Sequence, residues 1–337
     1  MSDEPFPISF GEAISEEVLR DFFTTITYVP PSAPELSFSI ILPRDWTQAT
    51  GVEMSPLGAG SFSQVAVFSG GDEIGVQVLA TLIRYEVDLV DWLGLQAEQM
   101  GCMLSNLVSG RTPYGQAVHA VGRSGTGADL RLLATGNGAS VVLLIAGMPG
   151  HSPEEIRETL GVAAASFQFT APCTQQTREP VAVFTDSGSL FRFLCPESWS
   201  IQPLDALRPV KAGADCRLAI ESTLIAYLRI EADIRYPRDG AGLPQMVALA
   251  FQEITETGIN IQEIQVISNS EAGLPEQWRG TCQVGEETAQ VALLLRPAPN
   301  CWLGAYAFFP NRDADPWGWL RGKRAYDLAV ATLEPAA

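Results

Sequence analysis

The chain has 337 residues, 46% apolar and 18% charged, with 39 acidic against 21 basic side chains for a formal net charge of −18. That length predicts two domains rather than one core, and the apolar share belongs to a folded chain. So acidic a surface repels a phosphate backbone or an anionic membrane, which sets nucleic-acid binding aside as a main task.

The first residues carry neither the basic start nor the apolar stretch of a secretion signal. The longest apolar run, Ser140 to Met148, is far short of the ~18 residues of a membrane helix. The expectation is a cytoplasmic protein with no membrane insertion. Residues 1–23 read as an acidic arm, and residues 1–35 together hold seven acids and one base. A helix-like segment there sets Ile14, Val18 and Phe22 on one side, as if to pack across a domain seam.

The strongest signal is self-similarity. Phe38, Pro43 and Trp46 recur as Phe191, Pro196 and Trp199, each displaced by 153 residues. The same displacement takes Pro56 to Pro209, Gly60 to Gly213 and Ala66 to Ala219. Farther on the offset drifts, but Gly101 and Gly258 each close a helix-like stretch. This ordered series predicts a duplication, with a first domain over 24–170, a linker over 171–179 and a second domain over 180–337.

Each copy predicts the same elements in order. A strand (Leu36–Leu42; Leu190–Leu194) ends at the proline, where ladder bonding stops. A loop and a strand follow, then a long strand (Ile74–Tyr85; Leu224–Ile234) and a helix. In copy two that helix lines up Leu243, Met246, Val247, Ala250 and Ile254. Two or three further strands end in Ala139–Ala146 or Cys301–Phe309. A terminal helix closes the unit, capped by Ser152-Pro153 with Ile156, Leu160, Ala163 and Phe167 inward, or by Asp315-Pro316. Hairpins with helices at only two points predict an α+β fold, a mainly antiparallel sheet flanked by helices, present twice.

An apolar strand ending in Pro-x-x-Trp, then strands, a helix, a hairpin and a closing helix, resembles the Mog/PsbP-like superfamily, and within it the bacterial DcrB-type branch. The resemblance covers both copies, about 24–170 and 180–337. It implies a sheet flanked by helices and, as a rule, no catalytic centre. Members act by binding, among them Eag-type chaperones of type VI secretion, which hold hydrophobic effector helices with paired domains. A tandem duplication would be a covalent version of such a pair. The implied function is a non-catalytic chaperone or adaptor whose partner is a protein, such as an apolar helix of a secreted effector. A hydrolase with a site between the copies and a structural module of a larger assembly are the alternatives.

Catalytic and ligand motifs are weak. His119 lies in a strand-like run, His151 precedes a helix cap, and no Gly-x-Ser-x-Gly elbow occurs. Gly122, Gly125 and Gly127 lack the Lys-Ser/Thr ending of a phosphate loop and read as a hairpin turn. Asn311, Asp313 and Asp315 open like a calcium loop, but Pro316 and Gly322 replace its Gly and Glu, so Asp315 reads as a helix cap. Glu154-Glu155 and Glu286-Glu287 read as solvated charge. The six scattered cysteines, Cys102, Cys173, Cys195, Cys216, Cys282 and Cys301, read as buried free thiols. No metal or cofactor is expected. One asymmetry stands out: the last strand of copy two sets Trp302, Tyr306 and Phe308 on one face, where copy one has Val141, Ile145 and Gly147. They are either a repacked core or a partner-binding aromatic surface.

Overall fold

The computed structural model describes residues 15–50, 54–58, 60–71, 74–150, 154–174, 178–204, 211–234, 242–268 and 276–335. Most of the acidic arm, Ile14, His151, the Ser152-Pro153 cap and Pro209 lie outside them, as do the side chains of Glu154, Glu155, Ile156 and Leu243. The chain divides into two compact units, Met1–Arg178 and Glu179–Ala337.

In unit 1, helix α1 (Glu16–Phe22) runs into β1 (Phe23–Tyr28), and β2 (Phe38–Pro43) follows a 3-10 turn at Pro34–Leu36. Then come β3 (Thr47–Gln48), β4 (Ser63–Ser69), β5 (Gly75–Leu82), α2 (Leu89–Gln99), β6 (Cys102–Thr112), β7 (Gly115–Ser124), β8 (Asp129–Asn137) and β9 (Ser140–Met148). Helix α3 (Glu154–Ser166) and the short β10 (Gln168–Phe169) close the unit. Unit 2 repeats the series as β11 (Val181–Thr185), β12 (Phe191–Pro196), β13 (Ser200–Pro203), β14 (Lys211–Ile220), β15 (Thr223–Asp233), α4 (Leu243–Glu256), β16 (Asn260–Ser268), β17 (Glu276–Val284), β18 (Glu287–Ala298), β19 (Cys301–Pro310), α5 (Pro316–Thr332) and β20 (Glu334–Pro335).

The sheets have the same order in both units. Seven antiparallel strands run β3-β4-β5-β9-β8-β7-β6 in one and β13-β14-β15-β19-β18-β17-β16 in the other. A three-stranded sheet stands beside each, β1-β2-β10 and β11-β12-β20. The fold is therefore α+β and present twice. Four strands follow the middle helix in each unit, not two or three. The one least visible in sequence is β6, the end strand of its sheet, which is largely exposed and so lacks apolar alternation.

Local devices recur with the sequence. Each proline ends its strand and accepts a turn bond: Trp46 donates to the Pro43 carbonyl at 3.2 Å and Trp199 to Pro196 at 3.1 Å. Gly101 (φ +66°) and Gly258 (φ +85°) take the left-handed conformation that ends a helix cheaply only with glycine. Asp315 caps α5 by accepting from the Gly318 N–H at 2.9 Å. The glycines at 122–127 lie in and beside the turn between β7 and β8.

One shared bond has no sequence signature. At the end of each closing helix a hydroxyl reaches the apolar strand. Ser166 Oγ accepts from the Ile41 N–H at 2.8 Å and donates to the Ala163 carbonyl at 3.3 Å. In unit 2, Thr332 Oγ1 accepts from the Leu194 N–H at 2.9 Å and donates to the Leu328 carbonyl at 2.7 Å.

Each seven-stranded sheet has two sides. In unit 1, Leu160, Ala163 and Ala164 of α3 join a buried cluster with Val76, Val78, Ala80, Val142, Leu144 and Ala146. In unit 2, α5 lies against the β19 face that carries Phe309, where a Cβ at Gly322 would stand 2.4 Å from the Phe309 Cβ. The opposite face of that sheet, with Trp302 and Tyr306, packs under Met246, Ala250 and Ile254 of α4. The stripe read on the arm is not buried: Val18 and Phe22 are exposed, because α1 is a seven-residue helix without a buried face. Four cysteines are buried free thiols, but Cys102 and Cys173 are half-exposed, at the start of β6 and beyond β10.

The shared hydroxyl bond can be measured. Ser166→Ala and Thr332→Val each strand a backbone N–H and are expected to cost about 1–2 kcal/mol in urea unfolding. Losses below a few tenths of a kcal/mol would show the bond to be incidental.

Candidate functional site

The α4 side of the unit 2 sheet is where the copies diverge most. Strands β4 (SQVAVFS) and β5 (GVQVLATL) contain no charged side chain. Their counterparts β14 (KAGADCRLAI) and β15 (TLIAYLRIEAD) contain six, namely Lys211, Asp215, Arg217, Arg229, Glu231 and Asp233.

Register explains how they meet. Tyr227, Arg229, Glu231 and Asp233 alternate along β15 onto one face and stand opposite Phe308, Tyr306, Gly304 and Trp302 of β19. Lys211, Gly213 and Asp215 of β14 stand opposite Asp233, Glu231 and Arg229. In unit 1 the pair matching Glu231 and Gly304 is Leu79 with Leu143, and that matching Arg229 and Tyr306 is Gln77 with Ile145. The face that is uncharged in unit 1 is charged in unit 2.

Two ionic groupings form there. The Lys211 ammonium, its side chain only 6% exposed, lies 2.7 Å from Glu231 Oε1, 2.5 Å from Glu253 Oε2 of α4 and 3.9 Å from Asp233 Oδ2. Tyr306 donates its hydroxyl to the same Glu231 oxygen at 3.2 Å. Beside it, Arg229 grips Asp215 with two bonds of 2.7 and 3.1 Å, and Tyr227 donates to Asp215 Oδ1 at 2.6 Å. Burial alone would raise the Asp215 pKa; the bonds from Arg229 and Tyr227 outweigh it and hold the carboxyl lowered. Burial first, then the charges of Glu231 and Glu253, pushes the Tyr306 hydroxyl well above its ordinary value, so it is a donor.

Gly304 makes room for this. A Cβ there would sit 2.9 Å from the Tyr306 ring, so only glycine lets the ring lie across β19 toward Glu231.

Above these groups is a cavity of about 410 Å³. Glu231 and Tyr306 form its buried floor, Tyr227, Arg229, Phe308 and Ile254 its walls, and the exposed Leu224, Thr257 and Val284 its mouth. The matching place in unit 1 opens as a wider cleft of about 890 Å³ over Gly75, Gln77, Ile145 and Gly147. Tyr227 and Phe308 occupy in unit 2 the positions of those two glycines, which narrows the cavity.

Of the three aromatic residues singled out by alternation, Tyr306 and Phe308 line the cavity. Trp302 does not; it is buried in the cluster beneath α4. The ionic groupings were missed. The available signal was the alternation of Arg229, Glu231 and Asp233 with Leu228, Ile230 and Ala232, which by itself describes a solvated strand face. His119 sits within β7 opposite Val108 and Leu133, 5% exposed, and burial followed by the charge of Arg131 pushes its pKa down to about 4. Among the described residues no group of three or more His, Cys, Asp or Glu side chains could hold a metal ion, and no helix is long and apolar enough to cross a membrane.

No protein-family profile matches the chain, and no curated protein matches it. Solved structures do show likeness. Cyanobacterial PsbP (CyanoP) from Synechocystis sp. PCC 6803 is 12% identical and matches 49% of this chain and 98% of its own, with a TM-score of 0.34. The T6SS immunity protein TplEi from Pseudomonas aeruginosa, complexed with "L" peptide, is 12% identical over 94% of this chain and 99% of its own, with a TM-score of 0.23. The Tle4-Tli4 complex matches at 9% identity over 93% and 97%, with a TM-score of 0.24. At these scores function has to rest on the residues of this chain.

Two measurements probe these groups. Lys211→Met leaves buried carboxylates without their cation and is expected to cost about 3–5 kcal/mol in urea unfolding, while Lys211→Met with Glu231→Leu loses less. An equal or greater loss in the double variant would show that the pair is not an electrostatic unit. For His119 the folded pKa is depressed, so its contribution is full above pH 6.5 and is lost as pH falls toward about 4. His119→Leu is expected to remove that acid-side slope, on the order of 2–3 kcal/mol; an unchanged slope would assign it to other groups.

Proposed function

We propose that this chain is a non-catalytic binding protein, a secretion-associated chaperone or adaptor of the Mog/PsbP-like superfamily and its DcrB-type branch. It shields an apolar segment of a partner protein, such as a helix of a secreted effector. The observation that carries the reading is that the same sheet position opens as a cleft in both units, while only unit 2 has walls rebuilt with rings and ion pairs. A cleft kept through duplication and then re-lined on one side is the pattern of a recognition surface that gained specificity.

The side chains of the unit 2 cleft support binding over turnover. Asp215 is committed to Arg229 and Tyr227, and Glu231 to Lys211 and Tyr306. Each carboxylate spends acceptor capacity on holding a neighbour, which fixes a shape more readily than it moves a proton. Apolar side chains at the mouth, Leu224 and Val284, provide contact area for an apolar segment.

Site-specific cross-linking tests this. A photoreactive side chain placed at Leu224 or Thr257 in the native cell is expected to yield a discrete adduct with one polypeptide. The same group at the exposed turn residue Glu286 should not. Excess unlabelled protein should compete the adduct away. Adducts equal at all three positions would overturn the reading.

A further inference from the structure

A second hollow recurs in both units, beside the end of the closing helix and the small sheet. In unit 1 it is a cavity of about 480 Å³ whose walls include Ser39 of β2, Gln168 of β10, Thr135 of β8 and the end of α3. In unit 2 a cavity of about 640 Å³ has Arg192, Glu334, Arg296 and the end of α5 in the same places. Register fixes the correspondence. Ser39 pairs with Gln168 as Arg192 pairs with Glu334, and Thr135 stands opposite Val142 as Arg296 stands opposite Leu303.

The polar groups of the two hollows are used differently. In unit 2 they are bonded within the fold: Arg192 holds Glu334 at 2.6 Å, and Arg296 donates to the Leu333 carbonyl. In unit 1 the hydroxyls of Ser39 and Thr135 bond no described residue, although these side chains are only 8% and 4% exposed. Thr135 shares its sheet face with Ala117 and Val142, the side on which α3 packs, so it stands toward the cavity. The more exposed Gln168 amide and Arg111 guanidinium of the same wall have no partner among the described residues either. Buried polar groups are normally paired, and an exception inside a cavity marks a place served by water or by a ligand.

The chemistry of these groups selects a guest. Arg111 lines the cavity and no acidic residue does, so the charge offered to a guest is positive. Hydroxyl and amide side chains both donate and accept, which suits a guest whose own hydroxyls do the same. A bare inorganic anion would use only their donors. Rings complete the wall: Tyr114 stands edge-on to Phe169 at 5.9 Å, and Phe169 to Phe167 at 5.6 Å. They give an apolar surface for a carbon skeleton. The net charge of −18 acts against an anion from afar, but salt screens it beyond about 8 Å, so the groups of the wall decide.

We propose that the unit 1 cavity binds a small hydroxylated anion, of the sugar-acid or sugar-phosphate class. Arg111 receives the charged end, Ser39, Thr135 and Gln168 bond the hydroxyls, and the rings of Tyr114 and Phe169 cover the carbon face. The volume of about 480 Å³ lies in the range of small-ligand sites. In unit 2 the matching positions carry Arg192 and Arg296, whose bonds are made within the fold. The site belongs to unit 1 alone and does not depend on the reading of the unit 2 cleft.

The test titrates the whole chain with glucuronate, glucose 6-phosphate, glucose and cyclohexanecarboxylate, read by calorimetry and by ligand-observed NMR. At least one hydroxylated anion is expected to bind about ten-fold more tightly than glucose or cyclohexanecarboxylate, and which one does so separates acid from phosphate. Arg111→Gln should bring that preference over glucose close to unity. Thr135→Val should weaken binding several-fold while the melting temperature holds or rises, because no bond within the fold is lost. Arg192→Gln in unit 2 should leave binding unchanged. No binding, equal affinity for all four probes, or binding unmoved by both Arg111→Gln and Thr135→Val would overturn the proposal. A preference for glucose would overturn the anionic guest, and a preference for cyclohexanecarboxylate the hydroxylated one.

Discussion

The antiparallel pairing of β15 with β19 is the constraint on which unit 2 depends. These strands lie at the middle of a seven-stranded sheet, with α5 against one face and α4 packed on the other. A side chain pointing from them under α4 has little access to bulk water. Unit 1 has the uncharged Gln77, Leu79 and Thr81 at the matching positions. Unit 2 places Arg229, Glu231 and Asp233 there, and each charge then has to find its counter-charge within the fold. Lys211 reaches three carboxylates because its strand pairs directly with β15, and Glu253 completes the set from α4. Removing Lys211 takes a buried cation from three carboxylates at once.

Setting the two units side by side separates what the architecture needs from what differs between them. The proline turns, the left-handed glycines after α2 and α4, the strand order and the hydroxyl at the end of each closing helix occur in both units. They close strands, end helices and tie the last helix to the small sheet. The face under α4 is under no such obligation. Gly75 and Gly147 of unit 1 stand where unit 2 has Tyr227 and Phe308, and Leu143 stands where Gly304 lets a ring lie flat. The scaffold is the same in both units, while the linings of the two clefts differ.

Much of this scaffold can be read from residues alone, because its signals are local. A proline stops a ladder, a glycine ends a helix, and apolar residues at helical spacing mark a buried stripe such as Met246, Ala250 and Ile254. Hairpins with helices at only two points, found twice in step, led to the α+β architecture that the sheets display. The edge strand β6 escaped notice because an exposed strand need not alternate. The hydroxyls of Ser166 and Thr332 are ordinary helix residues until the strand they touch is placed beside them. The exposure of Val18 and Phe22 depends on what α1 fails to reach, which periodicity cannot report.

The cleft shows where local reading ends. Arg229, Glu231 and Asp233 alternate with apolar neighbours as on any half-solvated strand, and only α4 turns that face into an interior. Trp302, Tyr306 and Phe308 share a face as alternation requires, yet their fates differ with depth. Trp302 lies under α4 in the core, Tyr306 lies on the cleft floor with its hydroxyl on Glu231, and Phe308 stands half-buried in the wall. A buried ion-pair cluster is often no more stabilising than well-packed apolar residues of the same volume. Glu231, bonded at once to Lys211 and to the Tyr306 hydroxyl, fixes the ring on the cleft floor, so the shape of that floor is organised within the fold itself.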